Sequence, residues 1–550
     1  MKKTKKKIIM AIMAGVMCVS LSACADKKST EKEVETVAPD IATELNVIDD
    51  NYRNYYEIFV YSFYDSDGDG IGDIPGLISK LDYINDGDDT TDSDLGMNGI
   101  WLMPIHPSPT YHKYDVIDYC DIDKAYGTLD DFKKLLEECD KRGIKLIIDL
   151  VMNHSSDHHE WFLSACEYLE GLAPGEEPDA NVCPYVDYYT FKRTKDSGNY
   201  YQVGDSEWYY NAGFSSNMPD LNWDNPKVKT EFEAIAKFWL DMGVGGFRLD
   251  AVKEYYSGNT AGNVEVLKWF NDYVKSVNPD AYIVAEAWCG DYYEYLGSGI
   301  DSVFDFNYAS FDGHLANIVQ DNIEDYNGQY LTDNLIYSKD TVKSKNETGI
   351  PAPFFANHDL NRTAHYLGFK EDKIKMDFGL LSIMNGSPFY YYGDEIGLGG
   401  AGDDENKRSP MIWSSTDETG KTRGPVNMQP EYVINRFKSV EEQQKDESSI
   451  WTYVRDAVKL RNIFPEIARG EIEDIESVTD EDVLAIRKTY NDSSIIILAN
   501  TSSKDEKKVE LSREENNYTN IKGMLATGDK NPYQTEDTIV LPPFSIVILK

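Results

Sequence analysis

Three acidic residues follow apolar segments that have the pattern of buried β-strands. Asp250 lies near the end of GGFRLDAV (245–252), Glu286 near the end of AYIVAEAW (281–288), and Asp359 at the end of PAPFFANHD (351–359). Carboxyl groups can act as nucleophiles or as proton donors and acceptors. Because parallel strands of a barrel bring their carboxyl ends to the same face, we expect these three side chains to share one site.

The neighbours of Asp250 and Glu286 predict opposite tasks for the two carboxyl groups. Arg248 precedes Asp250 by two residues, and strand alternation places both side chains on one face. A guanidinium there favours the ionised carboxylate that a nucleophile requires. Glu286 lies in the apolar segment AEAW, where loss of solvent raises the pKa of a carboxyl group, as a general acid requires. Two carboxyl groups with these tasks are the usual equipment for glycoside hydrolysis.

The segment DSDGDGIGD (65–73) carries four aspartates directly after a predicted strand. Its carboxylates stand at positions 1, 3, 5 and 9 and Gly70 at position 6, as in the first part of an EF-hand loop. Position 12 is Gly76 instead of glutamate, and no helix precedes the segment, so it is not an EF-hand. Clustered carboxylates repel one another without a cation. The segment therefore predicts a calcium site.

The elements that position these residues alternate between apolar strands and amphipathic helices, which predicts a (β/α)8 barrel. Thr128 is a candidate cap of one helix that ends by Gly143, and Pro226 opens another that runs over 226–242. The eight predicted strands are 57–63, 99–105, 144–151, 245–252, 281–288, 302–307, 351–359 and 387–394.

Two departures from this alternation predict further domains. About 70 residues separate the third strand from the next helix, too many for a structureless loop, so we predict an inserted subdomain at 155–225. Alternating strands without helices predict a C-terminal β-sandwich at 468–550. The barrel then comprises 49–154 and 226–467. The predicted fold class is α/β: a (β/α)8 TIM barrel with a subdomain inserted after strand 3 and a C-terminal all-β domain.

The N-terminus has the pattern of a bacterial lipoprotein signal. MKKTKKK is followed by an apolar run from Ile8 to Val19, which is too short to span a membrane as a mature helix. The sequence LSAC (21–24) resembles a lipobox, which predicts cleavage of residues 1–23 and lipidation of Cys24. Residues 24–48 are polar and charged and are predicted to be a lipid-anchored linker. We therefore expect the protein on the extracellular face of the cell membrane.

Charge and cysteine content exclude some classes of partner. The formal net charge is −42, whereas nucleic-acid binding needs basic patches, so we expect no nucleic-acid partner. The acidity fits a neutral ligand, and it equally fits a secreted protein kept soluble by its charge.

Five cysteines follow the signal and linker without metal-ligand spacing, and a disulfide such as Cys166–Cys183 is one option among several. They are Cys120, Cys139, Cys166, Cys183 and Cys289.

Four segments resemble the signature regions of glycoside hydrolase family 13, the α-amylase family. Their order, spacing and positions at strand ends match the family over roughly residues 50–550. The resemblance implies that Asp250 is the nucleophile, Glu286 the acid/base and Asp359 the stabiliser of the transition state. The segments are DLVMNHSS (149–156), GFRLDAVK (246–253), AEAW (285–288) and FANHDLNR (355–362).

The same resemblance implies ligands for the substrate and for a metal. Tyr114 is similar to a tyrosine platform beneath the cleaved sugar, and Lys253 to a lysine on the leaving-group side. Further implied substrate contacts are His154, Arg248, His358 and Arg362. The acidic segment is similar to a calcium loop in oligo-1,6-glucosidase-like members, with Asp65, Asp67, Asp69, Asp73 and the carbonyl oxygen of Ile71 as implied ligands. Asn153 matches a residue of a second family calcium site.

Two features indicate a subfamily. MPDLN (218–222) is intermediate between QPDLN of oligo-1,6-glucosidases and MPKLN of neopullulanases. Ala251 follows the implied nucleophile where α-1,6-specific relatives tend to carry valine, whereas Glu254 departs from a histidine that is frequent in the family. These features favour a retaining enzyme that cleaves α-1,4-glucosidic bonds of starch and malto-oligosaccharides, with transglycosylation as an option.

Several alternatives remain open from the sequence. Within enzymes they are a neopullulanase or cyclomaltodextrinase, an oligo-1,6-glucosidase and a 4-α-glucanotransferase. Neopullulanase-like enzymes usually carry an additional N-terminal β domain, for which the residues between Cys24 and the barrel leave no room. A non-catalytic sugar-binding lipoprotein is the alternative from another class, and the presence of all three carboxylates disfavours it.

Overall fold

Parallel strands form a nearly closed barrel in the computed structural model, which describes residues 36–46, 48–195, 198–320 and 325–550. Three barrel strands come first: β1 (Tyr55–Ile58), β2 (Gly99–Leu102) and β3 (Lys145–Leu150). Three short strands outside the barrel follow: β4 (Phe191–Lys192), β5 (Tyr200–Gln202) and β6 (Tyr209–Asn211). The other five barrel strands are β7 (Gly246–Leu249), β8 (Tyr282–Ala285), β9 (Ser302–Asp305), β10 (Ala352–Pro353) and β11 (Phe389–Tyr391).

The barrel strands are parallel and follow chain order around the barrel, with β11 beside β1. A parallel bridge between Phe354 and Phe389 joins the two ends of the sheet. The predicted (β/α)8 fold class is therefore confirmed.

Helices lie between the barrel strands and in the later parts of the chain. Those among the described residues are α1 (Ile74–Ser79), α2 (Leu81–Ile84), α3 (Leu129–Asp140), α4 (Glu160–Glu170), α5 (Pro226–Met242), α6 (Thr260–Val277), α7 (His314–Gln320), α8 (Gly328–Lys345), α9 (Thr363–Tyr366), α10 (Glu371–Ser382), α11 (Asp404–Lys407), α12 (Val440–Gln443), α13 (Ile450–Ile463), α14 (Pro465–Arg469) and α15 (Arg513–Asn516).

The ends of α3 and α5 follow from local chemistry. Thr128 and Asp131 form a reciprocal capping box at the start of α3, which satisfies two N–H groups that have no partner within the helix. Pro226 occupies the first turn of α5, where its missing N–H costs nothing. Gly243 ends α5 with φ +109°, a conformation that favours glycine. The predicted span of α5 is confirmed.

Aromatic side chains fill the barrel axis beneath its carboxyl-end face. The ring of Tyr55 stacks on Tyr282 at 5.1 Å and on Phe389 at 4.8 Å between centroids. Trp101 and Phe304 complete the layer at 5.5 Å from each other. Inward residues of several strands therefore form a close-packed floor, which holds the strand ends above it in a fixed arrangement.

All eight barrel strands are shorter than the apolar pattern predicts, and two of the differences bear on the site. The strand predicted at 57–63 ends at Ile58, although Phe59 and Phe63 are still buried, because the following loop packs against the barrel. The strand predicted at 351–359 is confined to β10. Asp359 therefore lies in a turn beyond the strand, where the Asn357 side chain accepts its N–H at 2.9 Å.

The segment between β3 and α5 has secondary structure of its own. It contains α4 and a small antiparallel sheet in the order β4-β6-β5. Antiparallel bridges within the segment pair His154 with Asp220 and Tyr189 with Leu221, so the returning chain lies beside the part that leaves β3. The structure leaves Cys166 and Cys183 as free thiols, so the optional disulfide between them is absent.

The chain after the barrel forms two antiparallel sheets. The five-stranded sheet has the order β12-β13-β14-β19-β16 and the three-stranded sheet the order β15-β18-β17. The strands are β12 (Glu471–Asp474), β13 (Val483–Tyr490), β14 (Ser493–Asn500), β15 (Lys507–Glu510), β16 (Ile521–Ala526), β17 (Tyr533–Thr535), β18 (Thr538–Leu541) and β19 (Ser545–Leu549).

Part of the predicted linker at 24–48 packs on this C-terminal domain. The N–H of Val37 donates to the Gln534 carbonyl at 2.8 Å, and the N–H of Asp40 to the Ile521 carbonyl at 3.0 Å. These contacts cover an edge strand of each sheet.

The predicted signal peptide at 1–23 and Cys24 lie outside the described residues. Within the described ranges, every helix is too short or too polar to cross a membrane.

Candidate active site

Arg248 gathers three carboxyl groups at the carboxyl ends of β3, β7 and β8. Its Nη1 lies 2.7 Å from Asp250 Oδ1 and 2.9 Å from Asp149 Oδ2, and its Nη2 lies 3.0 Å from Glu286 Oε2. The guanidinium is fully buried, with its planar carbon 5.1 Å from the centre of the Trp101 ring. The predicted pair of Asp250 and Glu286 is thus held by the two terminal nitrogens of one side chain.

Burial sets the proton affinity of this cluster. It raises the pKa of Glu286 above its ordinary value although Arg248 lowers it, which agrees with the apolar sequence around Glu286. Burial raises the pKa of Asp250 as well, and Arg248 offsets only part of that rise. The pKa of Asp149 rises to about 7 for the same reason. One guanidinium therefore neutralises only part of the charge of three buried carboxylates.

A sharp turn follows Asp250 and connects it to Glu286. Ala251 has φ +47°, which is uncommon for a residue with a side chain. Its N–H donates to Glu286 Oε2 at 3.0 Å, and the Val252 N–H donates to the Glu286 carbonyl at 3.0 Å. The backbone of one strand end therefore orients the carboxyl group of the next.

Asp359 is held as an anion by two cations. His358 Nε2 lies 3.0 Å from Asp359 Oδ2, and Arg408 Nη2 donates to Asp359 Oδ1 at 2.7 Å. Burial would raise the pKa of Asp359, but His358, Arg408 and Arg248 together hold it well below its ordinary value. About 28% of the side chain is exposed, so the carboxylate remains accessible to a ligand.

Tyr114 connects the two halves of the site. Its hydroxyl donates to Asp149 Oδ2 at 3.1 Å and lies 2.7 Å from His358 Nε2. The Tyr114 and His358 rings stack at 5.6 Å with 18° between their planes. His154 Nε2 lies 3.2 Å from the Tyr114 carbonyl oxygen, and burial lowers the pKa of His154 to about 4. His154 is therefore neutral at pH 7.

Two implied substrate contacts are not joined to this cluster. Arg362 is fully buried, and its Nη1 donates to the Tyr392 carbonyl at 2.6 Å and to Asp394 Oδ1 at 2.8 Å. Lys253 has a side chain that is 39% exposed and lies 3.5 Å from Glu254 Oε1. Arg362 therefore holds the chain at Tyr392 and Asp394, whereas Lys253 is half-buried beside Glu254 after the turn that follows Asp250.

Three of the four aspartates of the acidic turn converge. Asp65, Asp67 and Asp73 each offer an oxygen within 4.8 Å of the other two. Hard carboxylate oxygens in this arrangement fit Ca²⁺. Asp69 is not in the group; its Oδ1 accepts the Ile71 N–H at 2.7 Å. The donor set therefore fits a calcium ion through three of the implied side chains.

Three residues of the cluster were missed by sequence reasoning. Glu57, in β1, lies 2.6 Å from His358 Nδ1, and Arg408 reaches Asp359 from the end of α11. Asp149 is the first residue of the DLVMNHSS segment, so its place in that segment could have marked it as a site residue. The signal for Glu57 is a carboxyl group at the start of an otherwise apolar predicted strand, 57–63. No local pattern marks Arg408.

The sequence model of the family described as "Alpha amylase, catalytic domain" matches residues 57–470. Alpha-amylase 3 of Dictyoglomus thermophilum is 35% identical over 512 residues, covering 91% of this chain and 93% of that protein. Oligo-1,6-glucosidase of Parageobacillus thermoglucosidasius is 30% identical over 541 residues, covering 82% of this chain and 90% of that protein.

Among solved structures, Eubacterium rectale Amy13B aligns with a TM-score of 0.87 at 41% identity. The alignment covers 92% of this chain and 97% of that structure. Proteins named for different activities therefore share this sequence pattern over most of their lengths.

Proposed function

The chain belongs to the α-amylase family of glycoside hydrolases, and on that premise we propose that it hydrolyses α-1,4-glucosidic bonds of starch and malto-oligosaccharides with retention of configuration. The observation that carries this proposal is the pairing of Asp250 and Glu286 on the two Nη atoms of Arg248. Two carboxyl groups on the terminal nitrogens of one guanidinium are near neighbours, which suits the separation of about 5–5.5 Å that retaining enzymes use.

In this mechanism Asp250 attacks the anomeric carbon while Glu286 gives its proton to the departing glycosidic oxygen. The carbon–oxygen bond of the substrate breaks and a glycosyl ester of Asp250 forms. Glu286 then removes a proton from water, whose oxygen attacks the same carbon and releases Asp250. Two inversions give net retention. The raised pKa of Glu286 suits this exchange, because a protonated carboxyl group must be present at the start.

Asp359 completes the proposed site as a fixed negative charge. The positive charge that develops on the sugar ring in the transition state is stabilised by a preorganised anion. His358 and Arg408 keep Asp359 ionised, and the aromatic face of Tyr114 offers an apolar surface on which a sugar ring can stack. Arg248 spans Asp149, Asp250 and Glu286 from below, so it positions carboxyl groups rather than contacting solvent.

The choice between α-1,4 and α-1,6 bonds is proposed from the intermediary MPDLN segment and the small side chain of Ala251. We expect maltoheptaose to release an α-anomer first, and panose to be cleaved at its α-1,4 bond. Proton NMR within the first minutes of reaction reports the anomer, and chromatography reports the products from panose. A β-anomer would refute retention. Cleavage of panose chiefly at the α-1,6 bond would support oligo-1,6-glucosidase activity instead.

Transfer to sugar acceptors, and action on cyclodextrin or pullulan, are the other outcomes of the same product analysis. Longer products from maltoheptaose would indicate transglycosylation or 4-α-glucanotransferase activity. Preferential cleavage of cyclodextrin or pullulan would favour the cyclomaltodextrinase or neopullulanase alternative. Binding of starch without any release of reducing ends would favour the sugar-binding lipoprotein.

We propose that Asp65, Asp67 and Asp73 hold a calcium ion that stabilises the loop after β1. Binding to the folded state alone raises stability by linkage, so chelator should lower the melting temperature by about 5 °C. Asp67→Asn should remove most of this chelator effect, because it takes a charge from the converging group. Asp69→Asn is the matched control and should keep the effect. Equal chelator sensitivity of Asp67→Asn and the wild type would place the metal elsewhere.

A lipid anchor at Cys24 remains the proposal for location. It is supported by the lipobox-like LSAC segment and the apolar run before it. Lipidation would hold the protein on the extracellular face of the membrane. Cys24→Ala should move the protein into the soluble fraction of a cell lysate or medium. A variant that stays with the membranes would show another attachment.

A further inference from the structure

Glu57 is a buried carboxyl group at the site that the proposed reaction does not use. It lies in β1 beneath the barrel mouth, with 0% exposure. Its Oε1 accepts from His358 Nδ1 at 2.6 Å, and its Oε2 has no hydrogen-bond partner among the described residues. A buried carboxylate is costly unless it is paired. Among the described residues, only His358 donates to the side chain of Glu57: its ring at 2.6 Å and its backbone N–H at 3.4 Å.

The other nitrogen of His358 also faces oxygen acceptors. Its Nε2 lies 3.0 Å from Asp359 Oδ2 and 2.7 Å from the Tyr114 hydroxyl. That hydroxyl donates to Asp149 Oδ2, so its oxygen is free to accept. Both ring nitrogens therefore face acceptors, and both contacts are favourable only when each nitrogen carries a proton. With Asp359 and Glu57 both ionised, this geometry requires an imidazolium. Burial raises the pKa of Glu57 above its ordinary value, and the charge of His358 opposes that rise.

We propose that Glu57 is a positioning residue that keeps His358 doubly protonated and aims its Nε2–H at Asp359 and the sugar bound beside it. The proposal rests on the proposed function for its role in catalysis. Without Glu57, burial would favour the neutral ring, and Nε2 could lose its proton and repel Asp359. Glu57 thus acts through His358 and does not touch the substrate.

The charges around His358 support this assignment. Burial alone would lower the pKa of His358, but the carboxylates of Asp359 and Glu57 raise it to about 10. The other groups that face it are Tyr114 from the loop after β2, Asp149 from β3, Arg248 and Asp250 from β7, and Arg408, whose Nε donates to the His358 carbonyl at 3.2 Å. The cations disfavour the imidazolium, so the carboxylates must maintain it.

The test follows the protonation of His358 directly. In full-length protein labelled with ¹⁵N-histidine, His358→Gln assigns the His358 signals among those of the eight histidines. We expect the wild type to show imidazolium shifts up to at least pH 8. In Glu57→Gln the ring should already be neutral at pH 7.5 and become an imidazolium only towards pH 5.5. A neutral His358 ring in the wild type at pH 7, or an unchanged titration in Glu57→Gln, would overturn the proposal.

Glu395→Gln is the matched control. Glu395 is 1% exposed and accepts the hydroxyls of Tyr56 and Tyr83 at 2.6 Å, without contact to His358. In Glu395→Gln the His358 ring should titrate at the same pH as in the wild type. A shift equal to that of Glu57→Gln would mean that loosening of the buried core, and not loss of the Glu57 contact, causes it. If Glu57→Gln does not fold, Glu57→Asp and the wild-type titration still decide the matter.

Kinetics then tests the catalytic part of the inference. The ratio of wild-type to Glu57→Gln kcat/KM on maltoheptaose should be at least tenfold at pH 7.5 and should shrink towards pH 5.5, because low pH restores the imidazolium. A ratio independent of pH would mean a purely structural role. The NMR measurement needs no turnover, so it judges Glu57 even if the proposed substrate is wrong.

Discussion

Asp250→Asn is expected to lower kcat on maltoheptaose by roughly 10⁴-fold or more, equivalent to about 5.5 kcal/mol in the activation barrier. The amide keeps the shape of the side chain but cannot form the glycosyl ester. Asp250 also has a raised pKa from burial, so losing its charge relieves a crowded cluster. The melting temperature should therefore stay equal to or above that of the wild type.

Asp305→Asn is the control for this variant. Asp305 ends β9 at the same face and is 2% exposed, but it accepts the hydroxyls of Tyr292 and Tyr293 at 2.5 and 2.8 Å. Its substitution should lower stability and leave kcat within tenfold of the wild type. Activity of Asp250→Asn within tenfold of the wild type would refute the assignment of the nucleophile.

Glu286→Gln is expected to lower kcat on maltoheptaose by roughly 10³- to 10⁴-fold, because no proton reaches the leaving oxygen. The loss should depend on the leaving group. An α-maltosyl fluoride releases fluoride without a proton, so the first step should proceed and a maltosyl ester of Asp250 should accumulate. Mass spectrometry of the quenched variant can detect that adduct on the peptide that contains Asp250.

Azide separates the two halves of the reaction in Glu286→Gln. Azide is an anion and attacks the glycosyl ester without needing a general base. It should therefore restore turnover of α-maltosyl fluoride and give α-maltosyl azide. Asp250→Asn provides the contrast, since it forms no ester and should give no α-azide. If Glu286→Gln lowers kcat equally on maltoheptaose and on α-maltosyl fluoride, and azide has no effect, Glu286 has another role.

Much of the fold was predictable because it depends on local patterns. Eight apolar segments in alternation with amphipathic ones indicate a barrel. Pro226 and the helical repeat of apolar residues after it predict the start and the end of α5. The strand ends were less predictable. Phe59 and Phe63 continue the apolar pattern of β1, because buried loops need the same residue types as buried strands.

The sequence by itself also determined which carboxyl groups meet. Asp250 and Glu286 directly follow β7 and β8, and adjacent parallel strands place their ends side by side whatever the loops do. Arg248 lies on the same face as Asp250 through strand alternation alone. The central pairing of the site therefore needed no knowledge of distant contacts.

The tertiary structure decided the partners of these groups. Arg408 reaches Asp359 across 49 residues of chain, and Glu57 reaches His358 across 301. Arg362, which the motif places near the site, turns instead to Asp394 beneath it. Such contacts depend on the closure of the barrel and on the path of long loops, and no local periodicity encodes either. The sequence gives the chemical type of each side chain, but the distances between side chains that are remote in the chain are set only when the barrel closes.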